Sequence, residues 1–352
     1  MPELPEVETI ARDLRGLVQG ARIVGVECNW PRTVRSGSVR AFGDGIAGRE
    51  IEGVGRRGKQ LLVWLGGGPA DPRPAVMTIH LKMTGQLFVV TPATPRDVHV
   101  HLVVGLADGR EVRFRDIRKF GRIGLYPRDP ATGEPLEGSA EGVLARGAEP
   151  LAEAFTARRL SELLSKRRGR LKSLLLNQDF VAGVGNIYAD EALWRARLHP
   201  LRDASTLRAA DVTRLHGALR DVLAEAVERR GSSVDDYTAP EGDGSMQEHL
   251  DVYQRAGDPC HRCGRRVRRI VVGGRATHFC GWCQRLPRAS TAAAAAAPAT
   301  RRGPRWTELD GAGALGRTPV EESAVDERRR RVEANRRAAA TRRAAARAGG
   351  SA

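Results

Sequence analysis

Four cysteines carry the plainest chemistry in the chain. The stretch CHRCGRRVRRIVVGGRATHFCGWC places Cys260 and Cys263 two residues apart and, sixteen residues later, Cys280 and Cys283 with the same gap. Each pair closes a tight knuckle offering two thiolates, and two knuckles complete the tetrahedral shell that structural zinc favours. One structural zinc ion is therefore the expected cofactor, since buried reduced cysteines would explain neither the spacing nor the Arg and Gly between them. Arg262, Arg265, Arg266, Arg268, Arg269 and Arg275 crowd this ribbon, either as phosphate contacts or as a solvated basic face. At the other end, MPELPEVETI sets Pro2 directly behind the initiator, followed by Glu3 and Glu6. A proline there is an accident of the translation start or a nucleophile. A third stretch, GVGNIY at 183–188, puts two glycines and Asn186 ahead of a helical run. Backbone amides at such a helix start form an anion site, with a DNA phosphate as natural occupant. A structural turn with Asn186 as N-cap has the same sequence.

These groups need a scaffold. Val7, Ile10, Ala11, Leu14, Leu17 and Val18 recur at helical spacing, and Gly20 supplies a stop. From 21 to 127 the pattern is strand-like: ARIVGVE, KQLLVWL, AVMTIHL, QLFVV, HVHLVVGL and EVRFRDI, with Asp108-Gly109 as a hairpin turn between the last two. Short strands punctuated by Gly, Pro and Asp predict a sandwich of antiparallel sheets. Beyond PRDPATGEPLEG the period turns helical, over 156–166, 186–196 and 206–230, with RLKSLLLNQ as a shorter helix. The cysteine segment reads as a β-hairpin turning at Gly273-Gly274, and Cys28, alone on a strand, as a core thiol.

Composition bounds the function. The chain has 352 residues, a formal charge of +16 and 41% apolar content, which suits a globular protein with a polyanionic partner, nucleic acid ahead of a membrane surface. Residues 284–352 hold 15 Arg, no Lys and 7 acidic residues, so this Ala/Arg-rich tail contributes +8 and the body the other +8. The tail reads as a disordered arm in isolation with nonspecific attraction to DNA, or as a basic helix on DNA. No apolar run reaches the roughly 18 residues of a membrane span, and the acidic N-terminus is unlike a secretory signal. A cytoplasmic protein without a membrane partner is expected.

MPELPEVETI, RRGKQLLVWL, HLKMTGQL, IRKFG, GVGNIYADEAL and the cysteine ribbon occur together and in order. This set strongly resembles the bacterial formamidopyrimidine-DNA glycosylases, from residue 2 to about 283. The resemblance implies an α+β fold: an N-terminal helix plus antiparallel β-sandwich over 1–135, a mainly α helix-two-turns-helix domain over 150–250, a zinc ribbon over 251–286, and an unrelated low-complexity tail over 287–352. It implies a monomeric base-excision-repair enzyme that acts on double-stranded DNA containing oxidised bases or abasic sites. Such an enzyme removes 8-oxoguanine and formamidopyrimidines and then cuts the strand as an AP lyase, by β,δ-elimination.

The same resemblance assigns roles. Pro2, freed of Met1, is the nucleophile; an α-amine titrates near 8 against about 10.4 for lysine, so more of it is neutral. Glu3 is the acid that protonates the sugar ring oxygen. Glu6 is a supporting carboxylate or an ordinary helix N-terminal acid. Lys59 is a proton donor and phosphate contact, and Arg275 serves δ-elimination and phosphate binding. Met83, Arg118 and Phe120 fill the hole left by the flipped base, Arg118 facing the orphaned cytosine, although Met83 and Phe120 also suit a core. His80, His99, Arg167, Lys172 and Asn186 match backbone contacts, with KRRGR offering several candidates for the place of Arg167.

Two departures stand out. Lys82 occupies a position where many relatives have glycine, and Gly231 to His249, the counterpart of the loop over the flipped base, matches only loosely. Two rival readings are an endonuclease VIII type acting on oxidised pyrimidines and a DNA-binding paralogue without catalysis. MPELPE and the Met83, Arg118, Phe120 set oppose the first; intact Pro2, Glu3, Lys59 and Arg275 oppose the second.

Overall fold

The computed structural model describes residues 1–136, 138–139, 142–232 and 244–287. The centre of the expected base-covering loop, 233–243, and the tail from 288 lie outside the described residues.

Helix α1 (Leu4–Val18) buries Leu4, Val7, Ile10, Ala11, Leu14 and Val18, the face that its apolar spacing dictates. It packs on two four-stranded antiparallel sheets, which confirms the sandwich. One has the order β1 (Ile23–Cys28), β6 (Val100–Leu106), β7 (Glu111–Asp116), β5 (Gly85–Val90). The other has the order β2 (Ile51–Arg57), β3 (Gln60–Leu65), β4 (Ala75–His80), β8 (Arg122–Pro127). Alternation along β3 sends Leu61, Val63 and Leu65 into the main core while Leu62 and Trp64 pack on the other face with Val76 and Tyr126. Gly109, at φ 85°, turns the β6–β7 hairpin. A short helix, α2 (Val39–Ile46), N-capped by Ser38, adds Phe42 and Ile46 to the core.

The second core belongs to α3 (Ala157–Ser165), α4 (Leu171–Leu176), α5 (Asn186–Arg195) and α6 (Ala209–Glu228). The ribbon follows as a hairpin of β9 (Arg268–Val272) and β10 (Arg275–Phe279), turning through Gly273 and Gly274 with φ of 56° and 72°. Cys28 is half-buried against the main core.

Sandwich and helices are joined by charge as well as by chain. Arg56 bonds both Glu8 of α1 and Glu149, at 2.8 and 2.7 Å, and Arg57 adds a second bond to Glu149 at 2.9 Å. Arg230, just past α6, pairs with Asp13 of α1 at 2.7 Å.

Candidate active site

Helices α1 and α5 meet at their N-termini. The amide of Leu4 donates to the carbonyl of Gly183 at 3.0 Å, and the Glu3 carboxylate accepts from the amides of Gly185 at 2.7 Å and Ile187 at 3.0 Å. The anion site expected at GVGNIY is thus filled by a carboxylate of the protein itself rather than standing open to a phosphate. Two positive helix ends face this carboxylate, which is the charge they favour. Gly185 is the N-cap of α5, and any β-carbon there would come within 2.3 Å of the Glu3 carboxyl carbon. Asn186 is not the cap; its side-chain amide reaches the carbonyl of Ala276 in β10 at 2.9 Å, tying helix to ribbon.

Glu6 is a buried hub rather than a solvated helix-end acid. It accepts from the backbone of Glu3 at 2.8 Å, from the Tyr188 hydroxyl at 2.6 Å, and from the amide and hydroxyl of Ser232 at 2.8 and 3.2 Å. Three elements are fixed on one carboxylate: the chain start, α5, and the residue where the described chain stops before 233. Pro2 is buried at this junction, whereas Met1 is half-exposed.

Lys59 sits in the β2–β3 turn, 7% exposed, with no hydrogen bond or ion pair among the described residues. Burial pushes its ammonium below the ordinary lysine range, opposed by the charges of Glu3 and Glu6 and assisted by Arg275. Burial likewise pushes the Glu3 carboxyl up, opposed by Lys59. An acid raised and a base lowered within reach of each other are both drawn towards neutral pH, where proton transfer is efficient. Arg275 is exposed at the ribbon turn, within electrostatic reach of Lys59. His80 ends β4, its Nδ1 accepting from the Lys82 amide at 3.0 Å, and burial with the charges of Lys82, Lys59 and Arg122 lowers it to about 3.

Two loops of the sandwich carry exposed side chains. Met83 is 39% and Phe120 50% exposed, so neither is a core residue, and the Arg118 guanidinium lies 5.0 Å from the Phe120 ring centroid. Buried Asp116, at the end of β7, holds both loops: one oxygen takes the Thr84 hydroxyl and the Arg118 amide (3.2 Å), the other the Gly121 amide at 2.7 Å. His99 lies nearby, half-buried, its carbonyl accepting from the Asp116 amide at 2.9 Å. Lys82 has φ 57°, the left-handed region that glycine adopts freely, so the departure at this position places strain as well as charge in the loop.

The expected backbone contacts divide. Arg167 is exposed between α3 and α4. Lys172 is wholly buried, its ammonium 2.6 Å from Asp190 and 3.0 Å from the carbonyl of Asn186, so it braces α4 against α5. The other Asp190 oxygen accepts from the His278 amide of β10 at 2.9 Å. Glu191, next in α5, accepts the amides of Asp251, Val252 and Tyr253 at 2.9, 2.9 and 2.8 Å, which anchors the approach to the ribbon. The four cysteine Sγ atoms of the ribbon lie within 4.8 Å of one another, with Cys263 and Cys280 3.5 Å apart. Tetrahedral zinc with bonds near 2.3 Å needs sulfur separations of about 3.8 Å, so the set fits. Cys260, Cys263, Cys280 and Cys283 hold one structural zinc ion.

Three family patterns match in order: the formamidopyrimidine-DNA glycosylase N-terminal domain over residues 1–123, its helix-two-turns-helix domain over 146–238, and a zinc finger found in such glycosylases and in an isoleucyl-tRNA synthetase family over 257–286. The chain belongs to the formamidopyrimidine-DNA glycosylase family. A formamidopyrimidine-DNA glycosylase of Roseiflexus sp. (strain RS-1) is 47% identical over 287 residues, 81% of this chain and 100% of its own length; that of Pelotomaculum thermopropionicum is 44% identical with the same coverage. Among solved structures, Lactococcus lactis Fpg in complex with DNA containing an abasic site superposes with a TM-score of 0.72 at 35% identity, covering 80% of this chain and 99% of that one. The wild-type Lactococcus lactis protein with DNA containing N7-benzyl-Fapy-dG gives the same score and identity. Membership makes this chain a DNA glycosylase of the family's type, acting on damaged DNA.

Several positioning residues escaped the sequence reading: Asp116, Tyr188, Ser232, Asp190 and Glu191. Each is a buried polar side chain or lies next to one, serving partners far along the chain. Asp190 and Glu191 sit in adjacent positions of NIYADEAL, where a wholly apolar buried face would otherwise be expected. Two consecutive acids in an otherwise buried helix were the available signal.

Proposed function

We propose that this chain is a bifunctional glycosylase and AP lyase of base excision repair, excising oxidised purines through the amine of Pro2. The observation that carries the reading is the burial of Pro2 between two helix N-termini, with Glu3 held rigidly beside it. Both helix ends disfavour a positive charge placed beside them, which favours attack by this amine once Met1 is removed. The half-exposed Met1 is open to that removal.

Pro2 attacks the anomeric carbon while Glu3 protonates the ring oxygen, and the base departs. A secondary amine attached there collapses to an iminium cation, an electron sink that acidifies the neighbouring carbon and lets the 3′ phosphate leave. Lys59, buried and lowered, handles the proton traffic of elimination, and Arg275 binds the phosphates that depart. Met83, Arg118 and Phe120 fill the vacated stack, Arg118 donating to the orphaned cytosine, with Asp116 setting their loops. His80, His99 and Arg167 take backbone contacts in this reading, while Asn186 and Lys172 act by tying α5 to the ribbon and to α4. The zinc holds the hairpin that presents Arg275. The working protein is a cytoplasmic monomer on duplex DNA carrying oxidised bases or abasic sites, its domains following the boundaries read from the sequence.

The test is product analysis on a duplex with 8-oxoguanine opposite cytosine, using protein shown by mass to lack Met1. Free base together with a gap bearing phosphate at both ends is expected. Excision without strand cleavage would remove the lyase half, and cleavage confined to oxidised pyrimidines would replace the substrate class.

A further inference from the structure

Helix α5 and strand β10 run side by side away from the active site. Asn186 contacts Ala276, Asp190 contacts His278, and at the far end Trp194 Nε1 approaches Cys260 Sγ at 3.4 Å. The ten residues of α5 carry this end about 15 Å from Glu3. A recess of about 390 Å³ opens there, lined by Arg197, Arg262, Trp282, Arg285 and the ribbon cysteines Cys263 and Cys283.

Carboxylates do not balance its arginines, and the four zinc thiolates offset them only in part. Arg197, Arg262, Arg265 and Arg285 have no carboxylate partner among the described residues, unlike Arg195, which pairs with Glu225 at 2.7 Å, and Arg255, which pairs with Asp258 at 3.7 Å. Stacking on aromatic rings spaces three of the four. Arg265 and Arg285 lie 3.7 and 4.1 Å from the Trp282 centroid, and Arg262 lies 3.9 Å from that of Trp194. Trp282 is nonetheless 49% exposed. Planar guanidinium forks held by aromatic rings suit phosphodiester oxygens, and a basic groove with interleaved aromatics is the means by which proteins hold nucleic-acid strands. The chain beyond 287 is net positive and so is a poor occupant.

We propose that this recess is a second polynucleotide site, which grips the phosphodiester backbone of a DNA segment other than the one bearing the lesion. It is independent of the lyase chemistry. A carboxylate-rich protein segment is the competing occupant, and the rings favour nucleic acid.

The test uses the full zinc-loaded chain saturated with a short duplex carrying an uncleavable abasic analogue. Labelled oligo(dT) or labelled undamaged duplex is then titrated in, and the stronger of the two identifies the physical source of the phosphates. R197Q/R285Q is expected to weaken this second binding about tenfold and to lower its salt slope by about 1.4–1.8, with the first duplex bound as before and R197K/R285K restoring the salt slope but only part of the affinity. Ultraviolet crosslinking of wild type to the labelled strand should place adducts on the Trp282 peptide. Second binding unchanged by R197Q/R285Q, equal weakening of both duplexes, absence of a Trp282 adduct, or displacement of the strand by poly-glutamate at lower charge concentration would each overturn the proposal.

Discussion

The β2–β3 turn near Glu3 and the junction of α4, α5 and the ribbon each bury a lysine, and the two are satisfied in different ways. Lys172 is fully enclosed, with an ion pair to Asp190 and a carbonyl for a second bond. Lys59 is nearly as enclosed and has neither among the described residues, only the field of Glu3 and Glu6. Burial pushes both ammonium groups below the ordinary lysine range, but at Lys172 the charge and hydrogen bond of Asp190 oppose this directly, and the close pair stiffens the packing around it. An ammonium without a partner is free to give up or take a proton. Burial alone therefore does not distinguish the two lysines; the presence or lack of a close partner does.

The contrast is open to attack, beginning with the largest effect. Removing zinc by chelation should unfold the ribbon, since structural zinc sites contribute roughly 10–16 kcal/mol, and with it lose Arg275 and the anchors on Asp190 and Glu191. Circular dichroism and duplex binding should fall together; binding that survives chelation would break the link between metal and site. Next, K172M leaves the Asp190 carboxylate buried and unpaired, and should cost about 3–5 kcal/mol in denaturant unfolding. K59M should cost little or nothing in the same experiment while lowering strand cleavage by about 10²- to 10⁴-fold. Reversed outcomes would exchange the roles given to the two lysines.

A smaller effect belongs to G185A. Its methyl collides with the Glu3 carboxyl carbon and should displace the acid, reducing single-turnover excision by about tenfold or more with stability changed by about 1 kcal/mol. Smallest is the pH response of His80. Its folded value of about 3 lies below the usual 6.5, so between the two the unfolded chain binds the extra proton. Stability from this group is present above pH 6.5 and is lost as pH falls towards 3. The imidazole should therefore remain neutral by nuclear magnetic resonance at pH 5, and H80Q should flatten the acid limb of the stability curve.

Periodicity revealed α1, the β6–β7 hairpin, the helices and the ribbon, because in each the buried face repeats or a turn residue marks the end. It missed β2 and β8. IEGVGRR reads poorly as a strand, yet its glycines are there for packing: the Trp64 ring of β3 lies against Gly53 and Gly55, so that a β-carbon at Gly55 would come within 2.7 Å of it. RIGLYP has Gly124 beneath the Tyr126 ring for the same reason, and α2 is hidden by two glycines in eight residues. In the site, Pro2, Glu3 and the cysteines were legible as motifs. That Glu3 would occupy the anion site of GVGNIY was not, because the two stretches lie 182 residues apart and only the fold joins them. Likewise Lys172 looks like any basic residue near a surface helix until Asp190 is seen beside it.

The central claim, that two helix ends prepare the amine of Pro2 as nucleophile, is tested most directly by borohydride reduction on an abasic-site duplex followed by peptide mass spectrometry. Lys59 is the informative competitor, being a buried amine within electrostatic reach of Glu3 whose ammonium is lowered by burial. With Met1 removed and zinc bound, a reduced adduct on Pro2, retained in K59M, is the expected result. An adduct on Lys59, or none on either amine, would contradict the account.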